Sequence, residues 1–168
     1  PHSQRDLIIH EAVLRWSTQV SIGGTAMPAL SDATSVLDKL RSFGTENLVR
    51  LFGTLNQPPK TFLAGSAIGF YGSRGEEELT ESSTPGEGFL ADMAQAWEAA
   101  AAPAQDLGIR TIWLRTGIVT TPMGGALQPM LLPTLLGAGG PMGGGRQYQS
   151  WISLPDRIYA TYHLMMTA

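Results

Sequence analysis

The stretch Phe62-Leu-Ala-Gly-Ser-Ala-Ile-Gly-Phe-Tyr-Gly-Ser-Arg-Gly75 holds the residues best placed to do chemistry. An apolar run ends at Ser66, and the chain then turns through glycines around Tyr71. A serine at the tip of a buried strand can donate its hydroxyl to an oxygen of a substrate or cofactor. A tyrosine beside a cation can act as a general acid or base. The competing reading is local: serine commonly satisfies a backbone group in a turn, and the glycines then only let the chain turn. On the residues alone the local reading of Ser66 is the commoner one.

Other chemistries fail on spacing. A nucleophile elbow needs G-x-S-x-G, whereas Ser66 stands in Ala64-Gly65-Ser66-Ala67-Ile68. A dinucleotide fingerprint begun at Gly137 meets Met142 where its third glycine belongs. Gly140 to Gly145 is followed by Arg146-Gln147 rather than the Lys-Ser/Thr of a phosphate loop. The three histidines lack ligand spacing, so no metal site is expected. With no cysteine in the chain, disulfides, thiolate–metal sites and a cysteine nucleophile are excluded, which fits a reducing compartment such as cytoplasm or an organelle matrix or stroma. A hydrolase is therefore disfavoured.

The elements that must hold these residues alternate. "DLIIHEAV" (6–13) reads as a buried strand and 17–30 as a loop. A helix follows from Ser31 or Asp32 to Leu55, weakened at Gly44 and Asn47. "TFLAGSA" is a second strand, and "FLADMAQAWEAAAAPAQDLG" a helix that Pro103 should open and Gly108 stop. "IRTIWLRTGIV" is a third strand and "GGALQPMLLPTLLG" a proline-interrupted helix. "PMGGGRQ" is a loop, "YQSWISL" a short strand, and Pro155 begins a closing helix. This alternation predicts an α/β fold with a parallel sheet, and such sheets bind ligands outside the carboxyl ends of their strands.

The 168 residues suit one domain spanning 1–168 with a sizeable core; 43% are hydrophobic and 15% charged. A net charge of −3 gives no footprint for nucleic acid. The apolar stretch "PMLLPTLLGAGG" is too short to span a membrane.

"SAIGFYG", "FLADMAQAWEAAAAPAQDLGIRTIWLRTGIV" and "GGALQPMLLPTLLGAGGPMGGGRQYQSWI" occur in an order that resembles the atypical short-chain dehydrogenase/reductases. More closely, the chain resembles their nucleotide-sugar-epimerase-like branch, the NAD(P)-dependent epimerase family. "DLIIHEAV", "RW" and "SFGTENLV" stand where that family has its fourth strand and following helix. The resemblance implies a Rossmann-like, doubly wound parallel sheet that binds NADP(H). It is partial, because the family's first βαβ unit, with its glycine-rich pyrophosphate loop, and much of the C-terminal substrate region have no counterpart. The single domain is thus expected to be incomplete at both ends.

By the same resemblance Ser66 and Ala67 line the cofactor, and Thr116, Gly117, Ile118 and Val119 run beside the nicotinamide. Arg15 lies near the cofactor phosphate or is a solvated surface arginine. Arg146 and Gln147 belong to a substrate-side loop, in which Trp151 is expected to be core. The family's Tyr-x-x-x-Lys pair is missing. Gly75 follows Tyr71 by four residues, and no lysine occurs after Lys60. Tyr71 therefore lacks an activating cation unless Arg74 substitutes, and it is expected to be a packing or pocket-wall residue. His10-Glu11-Ala12-Val13 replaces the family's small glycine turn, and of the expected histidine and paired acids near 151–157 only Asp156 remains.

Two expectations follow. One is an NADP(H)-dependent epimerase or oxidoreductase of unknown substrate, with Ser66 and Tyr71 as its catalytic candidates. The other is a catalytically inactive, Rossmann-derived structural or accessory subunit, associating with itself or a partner through an exposed sheet edge. The 168 residues are expected to bind dinucleotide only together with the family's N-terminal half, because a helix N-terminus and glycine turn supply most phosphate recognition.

Overall fold

The computed structural model describes residues 7–9, 42–140 and 145–167. The chain divides into two compact units. The first lies within Pro1–Ser73 and Thr80–Arg115, the second within Arg74–Leu79 and Thr116–Ala168.

The first unit is built on a three-stranded sheet in the order β1 (Leu7–Ile9), β2 (Thr61–Ala67), β3 (Arg110–Thr116). Strand β1 pairs with β2 in parallel, Ile8 opposite Phe62. The Arg110 N–H donates to the Lys60 carbonyl (3.0 Å), so β3 starts beside the start of β2. As the central strand, β2 buries Thr61 to Ala64 and Ser66; a strand covered on both faces reads as an unbroken apolar run, not an alternation. The described part of helix α1, 42–52, runs unbroken through Gly44 and Asn47 and turns Thr45, Val49 and Phe52 inward at helical spacing.

Helix α2 (Phe89–Ala101) crosses from β2 to β3 and packs on β2 and on the 3-10 turn Ile68–Tyr71 that follows it. Its buried residues are all alanines: 91, 94, 100 and 101. Small side chains on that face let the helix lie close to the sheet. Pro103 converts the helix end to a 3-10 segment, Ala102–Leu107, and Gly108 stops it in the left-handed conformation (φ 74°). The core joins Val49, Phe52, Phe62, Ala64, Ala101, Ala104 and Ile109, with Trp113 packed against it.

In the second unit the expected third strand breaks at Gly117. Residues Ile118–Thr120 form β4, which pairs in parallel with β5 (Trp151–Ser153). A Cβ on Gly117 would stand 2.6 Å from the Ser150 carbonyl oxygen, so glycine is what admits β5 here. A 3-10 turn, Gly125–Leu127, leads into α3 (Gln128–Leu135), which holds Pro133. Helix α4 (Leu154–Met166) has Pro155 in its first turn, and the Ser153 hydroxyl caps it by accepting from the Asp156 N–H. Trp151, expected in the core, is 68% exposed. It opens β5, at the start of the two-stranded pairing with β4.

Arg74 and Glu77 form a short ion pair in the second unit, 2.7 Å from Nε to Oε2. The hydrogen bond from Arg74 holds the Glu77 carboxyl below its ordinary pKa, with burial opposing and the charge of Arg74 adding to the effect. The stabilisation is therefore present above the ordinary carboxylate value and disappears as pH falls through the depressed one. A carboxyl-carbon NMR titration is expected to place the Glu77 midpoint below that of Glu77 in the Arg74→Gln variant. Equal midpoints would mean the pair does not persist in solution. Glu77 is exposed and Arg74 partly so, and water screens the pair, so little change in overall stability is expected from Arg74→Gln.

Candidate functional site

Strand β2 delivers Ser66 one residue before its end, and the next turn brings Tyr71 back over the sheet. Ser66 is buried (7% exposed), and its hydroxyl donates to Glu98 Oε1 at 2.7 Å. Glu98 comes from α2, where the surrounding alanines leave it as a long polar side chain on a small-residue helix. Its carboxylate also takes two hydrogen bonds from Arg115, Nε to Oε1 at 2.8 Å and Nη2 to Oε2 at 2.9 Å. This is the bidentate fork that guanidinium and carboxylate geometry favours.

Arg115 Nη1 donates to the Tyr71 hydroxyl oxygen (3.0 Å) and to the Glu81 carbonyl (3.2 Å). The guanidinium lies over the Phe70 ring at 3.5 Å, and the Phe70 and Tyr71 rings meet edge to face. Trp113, two residues earlier on β3, donates its indole N–H to the Glu98 carbonyl (3.1 Å). Hydrogen bonding to Glu98 raises the Arg115 pKa above the usual arginine value; burial acts against this, and the bond to Tyr71 adds to it. The cation is permanent, and Glu98 matches it.

The cation at Tyr71 is thus Arg115, whereas Arg74 is engaged with Glu77. Neither Glu98 nor Arg115 stood out as a functional residue from spacing or resemblance. The signal was nevertheless present: Arg115 is a charge in the largely apolar run Ile112-Trp-Leu-Arg-Thr-Gly-Ile-Val119, and a charge on a strand that packs in a sheet requires a partner.

The other candidates lie elsewhere. Ala67 is half-buried at the end of β2. Thr116, Gly117, Ile118 and Val119 fall in the second unit, as do Arg146 and Gln147. The Ile118 N–H donates to the Ser150 carbonyl (2.9 Å), so part of the backbone expected beside a nicotinamide already serves β5. Arg15 and the 10–13 turn lie outside the described residues. Among the described residues no cluster of histidine and acids could hold a metal ion, and no helix is long and apolar enough to cross a membrane.

The donor set at the ends of β2 and β3 can be tested for a dinucleotide. With Arg115 matched by Glu98, the corner is close to neutral and offers hydroxyls. That chemistry fits a nicotinamide ring with its uncharged carboxamide, and it does not fit the phosphates.

No protein-family model matches the chain. An epimerase family protein of Mycobacterium bovis is 43% identical over 100 residues, 60% of this chain and 33% of the relative. Over the matched residues the chain is similar to epimerase family proteins, in agreement with its resemblance to the atypical short-chain dehydrogenase/reductases. It spans about a third of the length of the curated epimerase family relatives it matches first, 33% for the mycobacterial protein. A nucleoside-diphosphate sugar epimerase from Corynebacterium glutamicum has the same fold with a TM-score of 0.73 and 36% identity, over 86% of this chain and 31% of that one. The human epimerase family protein SDR39U1, solved with NADPH, aligns with a TM-score of 0.75 and 25% identity, over 90% of this chain and 57% of that one. The fold of this chain is therefore α/β and Rossmann-like, with parallel strands.

Proposed function

We propose that the chain forms part of an NADP(H)-binding epimerase- or oxidoreductase-like protein, with Ser66 and Tyr71 on the nicotinamide side of its site. One observation carries this reading. Two hydroxyls and a neutralised cation meet where β2 and β3 end, the edge at which open α/β sheets take ligands. The NADPH in the human relative's structure supports the choice of cofactor. When bound, NADP(H) supplies a hydride donor or acceptor. The chain's own part is to present the two hydroxyls in fixed orientations, with Arg115 holding the Tyr71 oxygen and Glu98 holding both Arg115 and Ser66. Thr116 to Val119 are assigned to the cofactor, and Arg146 and Gln147 to the substrate side.

The same network favours a second reading. Glu98 and Arg115 connect β2, α2, β3 and the 68–71 turn through hydrogen bonds made entirely within the chain. A tie of that kind suits a Rossmann-derived structural subunit that works through a partner at a sheet edge.

Titration of the natural gene product with NADPH, followed by cofactor fluorescence, separates the two. Saturation in the micromolar range is expected. No saturable change would leave the structural subunit as the reading.

A further inference from the structure

Resting on the cofactor reading above, we infer that Glu98 is a positioning residue that makes Ser66 a hydrogen-bond acceptor toward its ligand, so that Ser66 selects the carboxamide NH2 of the nicotinamide. A serine hydroxyl has one proton and two lone pairs. The Glu98 carboxylate, bridged by a guanidinium that is always protonated, can only accept. The 2.7 Å contact therefore consumes the single proton of Ser66. What Ser66 retains toward a ligand is lone pairs.

The expectation that Ser66 would donate to a nicotinamide or substrate oxygen is thereby reversed. A serine released from Glu98 could serve either polarity; held by Glu98, it serves one. Arg115 fixes this arrangement, because its fork holds the carboxylate in place with its side chain only 20% exposed and that of Glu98 13% exposed. A ligand carbonyl oxygen placed against Ser66 would meet lone pair against lone pair. An amide N–H there would complete a hydrogen-bonded chain running from ligand to Ser66 to Glu98 to Arg115.

The test compares two ligands on the natural gene product. The 3-acetylpyridine analogue of NADP+ keeps the carbonyl and replaces the NH2 by methyl. The wild-type protein is expected to bind NADP+ about three- to tenfold more tightly than the analogue, the worth of one neutral hydrogen bond. Ser66→Ala is expected to bring that ratio close to one, mainly by weakening NADP+. A purely structural Ser66 would leave the ratio unmoved. Should Ser66→Ala fail to fold, Ser66→Cys keeps the shape while accepting weakly and serves the same comparison. Equal binding of both ligands by the wild type, or a ratio that survives substitution of Ser66, would overturn the inference and leave the cofactor reading standing. Binding of neither ligand would overturn both.

Discussion

Glu98→Ala is expected to lower the free energy of unfolding by about 3 kcal/mol, toward the lower end of the cost of stranding one partner of a buried ion pair. The side chains of Arg115 and Glu98 retain 20% and 13% exposure, so water screens them in part. The substitution leaves the Arg115 cation with only the Tyr71 oxygen, the Glu81 carbonyl and the Phe70 face, and it leaves the buried Ser66 hydroxyl without its acceptor. Arg115→Met should cost a similar amount by stranding the carboxylate instead. The double variant should lose much less than the sum, since two apolar side chains leave no unmatched charge. A double-mutant cycle by urea denaturation checks this, with a coupling of about 1.5 kcal/mol or more expected for residues in direct contact. Single losses below about 1 kcal/mol that simply add would show that the pair is a surface-like contact.

This network also marks where the sequence stopped being legible. Strand β2 was readable to the residue, because a run from Thr61 to Ala67 bounded by Pro59-Lys60 and a glycine turn has few alternatives. Helix α2, its opening at Pro103 and its stop at Gly108 were equally plain, since proline and glycine act through local backbone geometry. The break at Gly117 was not. Its cause is a close approach by Ser150, which lies 33 positions away, and no local preference encodes that. The pairing of Glu98 with Arg115 is similarly a product of the crossover that brings α2 beside β3. The motif spacing points for the cation of Tyr71 to a lysine, absent after Lys60, or to the nearby Arg74. The fold instead supplies it from 44 positions on. Trp151 illustrates the converse error: residue type alone assigns a large aromatic beside a strand to the core, but burial depends on what packs against that side chain, and Trp151 is exposed.

The second large effect is expected at the root of β2. Phe62 is fully buried, its ring meets Phe52 of α1 edge to face at a centroid distance of 5.3 Å, and it shares a core with Ala101, Ala104 and Ile109. Phe62→Ala removes an aromatic ring from a position where the alanines opposite have nothing to extend into the gap. Truncation at such a site costs about 3–5 kcal/mol from lost transfer energy and residual cavity together. Phe62→Leu, which keeps most of the volume, should cost about 1–2 kcal/mol, including the lost edge-to-face contact. The larger substitution should also reach the candidate site. Ser66 lies four residues along the same strand, and Trp113, packed on the same core, donates to the Glu98 carbonyl. Near-UV circular dichroism of Phe62→Ala under conditions where it remains folded is therefore expected to show altered tryptophan signals, together with a reduced urea midpoint. A loss under about 1.5 kcal/mol with an unchanged tryptophan signal would mean that the first unit does not take its stability from this core. The rigid placement of Ser66 that gives it a single hydrogen-bonding polarity would then lose its physical basis, because a strand free to shift by an ångström would no longer hold the hydroxyl against Glu98.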